Sequence, residues 1–566
     1  VDSFWTGTVA DVRGSWVRPA SVRGLFAVPL MVAIVLGVAS VGAAPVLAHS
    51  VPSTAASPPG TGLAWGLNSS GQLGDGTTTN RNTPATVDLP ADTTITAIAA
   101  GGAHSVAVTS AGTMLAWGNN TFGQLGDGTT TNRSAPVVVD LPADTTITAI
   151  AAGDFHSLAV TSTGTALAWG NNNVGQLGDG TTTNRSTPVA VDLPADTTIT
   201  TVAAGDFHSL AVTSTGTALA WGYNSFGQLG DGTTTNRSAP VVVDLPAGTT
   251  ITAVAAGAFH SLAVTSTRTA LAWGRNVFGQ LGDGTTTNRS TPVTVDLPAD
   301  TTITAIAAGT FHSLAVTSTR TALAWGFNDF GQLGDGTTTT SSTPVAVDLP
   351  ADTTITAIAA GGAHSLAVTA TGTALAWGNN SLGQLGDGTT TNRNTPATVD
   401  LPADTTITAI AAGGGATGGA HSLAVVPSTS TTTLQVSPPN PTPDQPVTLT
   451  ATVTCTASTP TGTVTYLDGT TTLGTEPLTG NPTATATLTV THLTPGTHHI
   501  HARYNGDNNC PTSTSNPTTV TIPKPTIPVT GTSLPTILTT GTLLTLTGTA
   551  LTLATHRRRP THHTIR

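Results

Sequence analysis

The chain has 566 residues, a formal net charge of −11, only 8% charged residues and a single lysine, Lys524. An acidic chain without a basic stripe argues against nucleic acid or an anionic membrane surface as partner. Two cysteines exclude a disulfide-rich scaffold but allow one bridge, and the Thr, Ala and Val that replace the missing charge suit β-strands.

At the N-terminal end Arg13, Arg18 and Arg23 precede a long apolar run that closes in small residues before His49. Positive flank, apolar run and small residues are the layout of a secretory signal peptide. Val46 and Ala48 stand three and one residues before the expected cut, so residues 1–48 are read as a leader. A retained anchor is the alternative, since the run is long enough to span a bilayer.

A phrase of the type W-G-N-N-T-F-G-Q-L-G then recurs every 52 residues, at Trp65, Trp117, Trp169, Trp221, Trp273, Trp325 and Trp377. A second phrase, G-x-x-H-S-L-A-V with Val106 replacing the leucine in the first copy, places its histidine at His104, His156, His208, His260, His312, His364 and His421. A fixed period of this length marks a repeat architecture. Within one copy the turn signals Pro142-Ala143-Asp144, Gly153 and Thr163-Gly164 separate four short β-branched runs, and no run shows a helical period. Four strands in about fifty residues predict a propeller blade. The array opens on a tryptophan strand at Leu63 and closes on a histidine strand ending at Val426, so the two half-units are expected to join and seal a ring without exposed edges.

The paired phrases G-D-F-H-S-L-A-V and A-W-G-N-N-x-x-G-Q-L-G resemble the repeat of the RCC1 family (regulator of chromosome condensation). The resemblance covers residues 61–427 and implies an all-β, seven-bladed β-propeller in which the glycines, tryptophans and histidines build the blades. It speaks to fold and not to activity.

The repeated His-Ser pairs, such as His156-Ser157, suggest a nucleophile and base. Seven copies without a singular acid point instead to packing, with each imidazole satisfying backbone groups near the hub. The G-D-G-T-T-T-N segments lack the alternating carboxylates of calcium loops and read as turns. No catalytic residue, metal or cofactor is expected. Binding should reside where the copies differ. After Trp-Gly they read Leu67, Asn119, Asn171, Tyr223, Arg275, Phe327 and Asn379, so Tyr223, Arg275 and Phe327 come from three consecutive blades. In the same blades Arg268 and Arg320 replace a turn glycine. These five residues form a candidate binding sector, since aromatics and arginine favour interface cores; drift among solvent-facing turns is the bland reading. The series Phe122, Val174, Phe226, Phe278, Phe330 and Leu382 is read as blade packing, with Ser70 the exception. The extra glycines before His421 are expected to bulge at the seam.

From Thr429 the pattern changes to alternating strands over some ninety residues, which predicts a β-sandwich over residues 429–522. Its words resemble a bacterial Ig-like repeat of surface proteins, which implies a stalk or adhesive spacer. Cys455 and Cys510 fall at strand ends and could form a disulfide in an exported protein or remain free thiols. His498, His499 and His501 read as exposed strand residues, since neighbours on a strand point to opposite faces.

Residues 523–566 comprise a proline-rich linker, the pentapeptide Ile527-Pro528-Val529-Thr530-Gly531, an uncharged tail and a basic stop at His556-Arg557-Arg558-Arg559. That order resembles the sorting signal of sortase-anchored Gram-positive proteins, with isoleucine where leucine is usual. The resemblance implies cleavage after Thr530 and linkage of Thr530 to peptidoglycan, the membrane being touched only transiently through the tail. A simple transmembrane anchor is the alternative.

Together these features lead to the expectation of a non-enzymatic, exported, wall-anchored binding or adhesion protein that presents a propeller to a protein or glycan. A propeller-type inhibitor of a secreted enzyme is the second reading. Guanine-nucleotide exchange, implied by the RCC1 resemblance, is the third, and export would separate it from an intracellular GTPase.

Overall fold

The computed structural model describes residues 59–415, 420–480 and 483–526. Ala48 and Ile527, Pro528, Thr530 and Gly531 therefore lie outside the described residues, as does part of the glycine-rich seam.

Among the described residues all regular structure is β. Each blade is a four-stranded antiparallel sheet; in blade 3 the strands are Ile199–Ala204, His208–Thr213, Ala218–Gly222 and Arg237–Val242. Blades 1 to 6 begin at Ile95, Ile147, Ile199, Ile251, Ile303 and Ile355. The Ile-led strands of successive blades touch one another around the axis, and the Arg-led strands form the half-exposed rim. Blade 7 is composite. Its inner half, Ala409–Ala412 and His421–Pro427, comes from the end of the array; its outer half, Gly60–Gly66 and Arg81–Thr86, comes from the start. The seam runs from Gly60 opposite Pro427 to Gly66 opposite His421 without a register shift. The ring is thus sealed by strands from both ends, as the offset of the repeat phrases predicts.

The core lies between blades, not within them. Seven apolar clusters each join one blade to the next, and each contains the fully buried tryptophan of the following blade. Trp273, for example, packs with Leu210, Val212 and Val243 of blade 3 and Val254 of its own blade. Burying an aromatic of this size at each junction stabilises the ring by several kcal/mol per blade, about the cost of Trp→Ala in a core.

The C-terminal sandwich packs Ser430–Ser437, Val447–Cys455 and Ala484–Val490 against a second sheet containing Thr463–Asp468 and Gly496–Tyr504. Cys455 and Cys510 form a disulfide. His498 is not an exposed strand residue: it is 8% exposed, and its ring reaches the Asp468 carboxylate at 2.6 Å and the Thr494 carbonyl at 2.8 Å. Burial alone would depress its pKa, but those two bonds outweigh it and raise the value.

Candidate interaction face

The hairpin geometry defines two faces of the propeller. In blade 4 His260 pairs with Gly274 at one end of the hairpin and Val264 pairs with Ala270 at the other. The histidine and Trp-Gly ends make the front face; the Thr-Ser-Thr turns make the back.

At the front, every blade junction carries the same relay. The Nε2 atoms of His104, His156, His208, His260, His312, His364 and His421 lie 2.9–3.1 Å from the hydroxyl of the serine in the next blade. Each serine hydroxyl donates in turn to a glutamine carbonyl of the preceding blade at 2.8–2.9 Å, as Ser261 does to Gln228. The following tryptophan Nε1 donates to the same carbonyl at 2.9 Å, as Trp273 does to Gln228. A hydroxyl has one proton, and here the backbone takes it, so the imidazole must donate from Nε2. This arrangement cannot activate serine as a nucleophile, because the proton points away from the base. It also amends the expected role of the histidines: they satisfy a side chain of the neighbouring blade, not backbone. Burial pushes His156, His208, His260 and His312 down to about 3, and neighbouring imidazoles add to the shift for His156 and His260.

The Asp-Gly turns at the rim are likewise spent on structure. Asp127 accepts from Thr129, Asn120 and Arg133, and five further blades repeat the Asp–Arg pair at 2.7–2.8 Å. Burial works against ionisation of Asp127, but these bonds outweigh it and lower its pKa. The following Gly128 stands at φ 76°, where a Cβ would be strained.

On this front face Tyr223, Arg275 and Phe327 converge. Tyr223 lies 6.1 Å from Phe259, and Phe327 lies 4.8 Å from Phe278. Between them the Arg275 guanidinium sits over Phe226, Phe259, Phe278 and Phe311 at 5.1–5.8 Å. Arg275 Nε is buried without a hydrogen-bond partner among the described residues, and desolvation lowers the pKa of the group, which nonetheless stays cationic. Edge-to-face, tilted and stacked ring contacts, bridged by Arg275, extend this cluster into a band from Phe122 in blade 1 to Phe330 in blade 5.

Arg268 and Arg320 do not join it. Both are exposed, with φ 63°, in turns at the back face, a strand length from Arg275. The sequence places them near Arg275 in the chain, but the hairpin sends them to the opposite end of the sheet. Phe226, Phe278 and Phe330 are also not interior blade packing; they are the outward half of the band, and Phe330 is 37% exposed. Sequence reasoning missed the inward half, Phe155, Phe207, Phe259 and Phe311. The residue before each repeat histidine is phenylalanine in those four consecutive copies and alanine at Ala103, Ala363 and Ala420.

A second asymmetry underlies the first. Where asparagine follows Trp-Gly, its Oδ1 accepts from the buried glutamine five residues on: Gln124 to Asn119, Gln176 to Asn171 and Gln384 to Asn379, at 2.7–2.8 Å. Where Leu67, Tyr223, Arg275 or Phe327 stands instead, Nε2 of Gln72, Gln228, Gln280 or Gln332 is buried with no partner among the described residues. An unsatisfied buried amide costs about 1–3 kcal/mol, so the sector of blades 3 to 5 is maintained at the expense of stability.

The sandwich docks on the back face. Asn509 Oδ1 accepts from the Thr94 and Ser110 hydroxyls at 2.7 Å, and its Nδ2 donates to the Asp92 carbonyl at 3.1 Å. The seam strands start and end on that side too, at Pro59 and Ser428. The aromatic band faces away from both.

The sequence matches the RCC1-like domain family over residues 53–425 and the bacterial Ig-like domain (group 3) family over residues 433–523. The ultraviolet-B receptor UVR8 of Arabidopsis thaliana is 34% identical over 338 residues, 60% of this chain and 77% of that protein. The E3 ubiquitin-protein ligase HERC2 of Homo sapiens is 34% identical over 275 residues, 48% of this chain but 6% of that protein. Among solved structures, yeast RCC1 (Prp20) bound to Kap60 superposes with a TM-score of 0.59 at 24% identity, covering 70% of this chain and 96% of that one. Human WBSCR16 gives 0.58 at 22% identity, covering 65% and 99%. At such identities the likeness to these structures concerns fold alone.

Proposed function

The chain belongs to the RCC1-like domain family, and on that premise we propose that it is an exported, wall-anchored binding protein whose propeller captures a protein ligand through the front aromatic sector. One observation carries the reading. Tyr223, Arg275 and Phe327, three departures from the repeat that each leave a buried amide unpartnered, gather on the face turned away from the Ig-like module. Aromatics with a desolvated arginine are the residues that concentrate binding energy in interfaces. A stalk on the back face leaves that front free for display. The leader ending at Ala48 and the signal at Ile527–Gly531 supply the address: secretion, then linkage of Thr530 to peptidoglycan.

Two measurements test this. Surface protein released from producing cells by wall digestion should begin after Ala48 and end at Thr530 carrying a peptidoglycan fragment. Recovery from the cytosol with the leader intact would overturn the address. Photo-crosslinking amino acids placed at Tyr223 and Phe327 should trap a ligand that the same probes at Arg268 and Arg320 do not. Equal yields from both faces would overturn the binding sector.

A further inference from the structure

Around the front face one contact recurs. The outward phenylalanine of one blade meets the phenylalanine before the histidine of the next: Phe122 with Phe155 at 5.3 Å, Phe226 with Phe259 at 5.4 Å, and Phe278 with Phe311 at 5.3 Å. The next outward ring is Phe330 of blade 5, and the pattern breaks there, because blade 6 carries Ala363 in place of the inward ring. What remains is a pocket of about 250 Å³. Phe311, Phe327 and Phe330 wall it on one side and Asn379 on the other, with Ala363 beneath. The protein therefore shows three times over which group fits this slot, and at the fourth position supplies none.

The polar groups around the slot narrow the choice of occupant. Asn379 Oδ1 already accepts from Gln384 Nε2 and from the Ser381 hydroxyl, so that wall is mostly satisfied from within. Thr310, 5% exposed and lining the same pocket, has a hydroxyl with no partner. A sugar ring needs several donors and acceptors at once; an aromatic side chain with one polar tip needs one. The charge next to the slot adds a second requirement. Arg275 stands 5.1 Å from the centre of the Phe311 ring, desolvated and without a carboxylate partner among the described residues.

Resting on the binding reading above, we propose that this slot receives a tyrosine side chain from an acidic segment of a partner polypeptide. Its ring replaces the missing phenylalanine between Phe330 and Asn379, its phenol meets the Thr310 hydroxyl, and an adjacent carboxylate meets Arg275.

The full chain is titrated by NMR with N-acetyl-Glu-Tyr-amide, N-acetyl-Gln-Tyr-amide, N-acetyl-Glu-Phe-amide and methyl α-glucopyranoside. The glutamyl-tyrosine probe should bind most tightly. Ala363→Phe fills the slot with the ring that blades 2 to 5 already carry, so it folds, and it should weaken that probe at least tenfold. Thr310→Val should remove the advantage of tyrosine over phenylalanine, and Arg275→Gln the advantage of glutamate over glutamine. Undiminished binding to A363F overturns the slot. A glucoside that binds better than the peptides and is lost in A363F overturns the polypeptide occupant. Either failure, with crosslinking at Tyr223 and Phe327 intact, leaves the binding sector standing; loss of that crosslinking fells both.

Discussion

Lowering the pH from 7 to 5 should cost the propeller most of its stability, and the reason is the ring of buried imidazoles. His156, His208, His260 and His312 are fully buried and neutral, pushed down to about 3 by burial. Nε2 already donates to a serine, and Nδ1 is buried with no hydrogen-bond partner among the described residues, so a second proton on the ring would be buried without an acceptor to receive it. In the unfolded chain the same imidazoles titrate near 6.5. The unfolded state therefore binds more protons between about pH 3 and 6.5, and stability falls as pH falls through that window. At pH 5 the difference is about 2 kcal/mol per imidazole, or about 8 kcal/mol for the four, comparable to the whole stability of a domain. Urea denaturation followed by tryptophan fluorescence reads the propeller directly, because the Ig-like module has no tryptophan. The urea midpoint should drop steeply between pH 7 and 5. The rim carboxylates do not confuse the result: those of the Asp127 type have lowered values, so their contribution is lost only as pH falls below their ordinary range near 3.8. An unchanged midpoint, or resonances assigned to His156, His208, His260 or His312 that titrate near 6.5 in the folded chain, would refute the reasoning.

Three further outcomes follow from particular residues. Leu67→Asn should give Gln72 Nε2 the partner that Asn119 gives Gln124 and stabilise the fold by about 1 kcal/mol; a lower denaturation midpoint would contradict it. Ser341 stands where six other copies carry an arginine paired with the rim aspartate, so Ser341→Arg beside Asp335 should add about 0.5–1 kcal/mol that high salt removes. Asn509→Ala deletes three bonds that hold the Ig-like module to blade 1, and small-angle scattering should show a wider distribution of dimensions with both domains still folded. In the module itself, His498 has a raised value, so its contribution is present at low pH and fades as pH rises through that value, opposite in sign to the propeller histidines.

The ring was legible because each blade states the same pattern and because the opening tryptophan strand lacks the histidine strand that the closing unit supplies. Tyr223, Arg275 and Phe327 stood out as departures at one position, and equivalent positions of a ring share a face. What the sequence concealed depends on contacts between copies. At five of the seven junctions the histidine relay joins residues 53 apart, and at the seam it joins His421 to Ser105, so His208 and its neighbour Ser209 look like a pair although His208 meets Ser261. Arg268 lies seven residues from Arg275 but at the far end of a hairpin, a distinction that needs strand direction and not spacing. The role of Phe259 was available from the alternation of phenylalanine and alanine before the histidines, but its meaning required the ring of the preceding blade.

The seam also bears on how the polypeptide matures. Gly60–Gly66 leaves the ribosome first, yet its partner His421–Pro427 arrives only after the last copy has been made. Until then the first-made strand has an open edge and meets a succession of near-identical mates, which read H-S-V-A-V in the first copy and H-S-L-A-V in the rest. Zipping onto an early mate would close too small a circle and expel a blade. Avoiding that error depends on each nascent unit claiming its own tryptophan strand first, through a short hairpin whose closure entropy is far smaller than that of the long circuit. Speed of local pairing thus protects the count of seven.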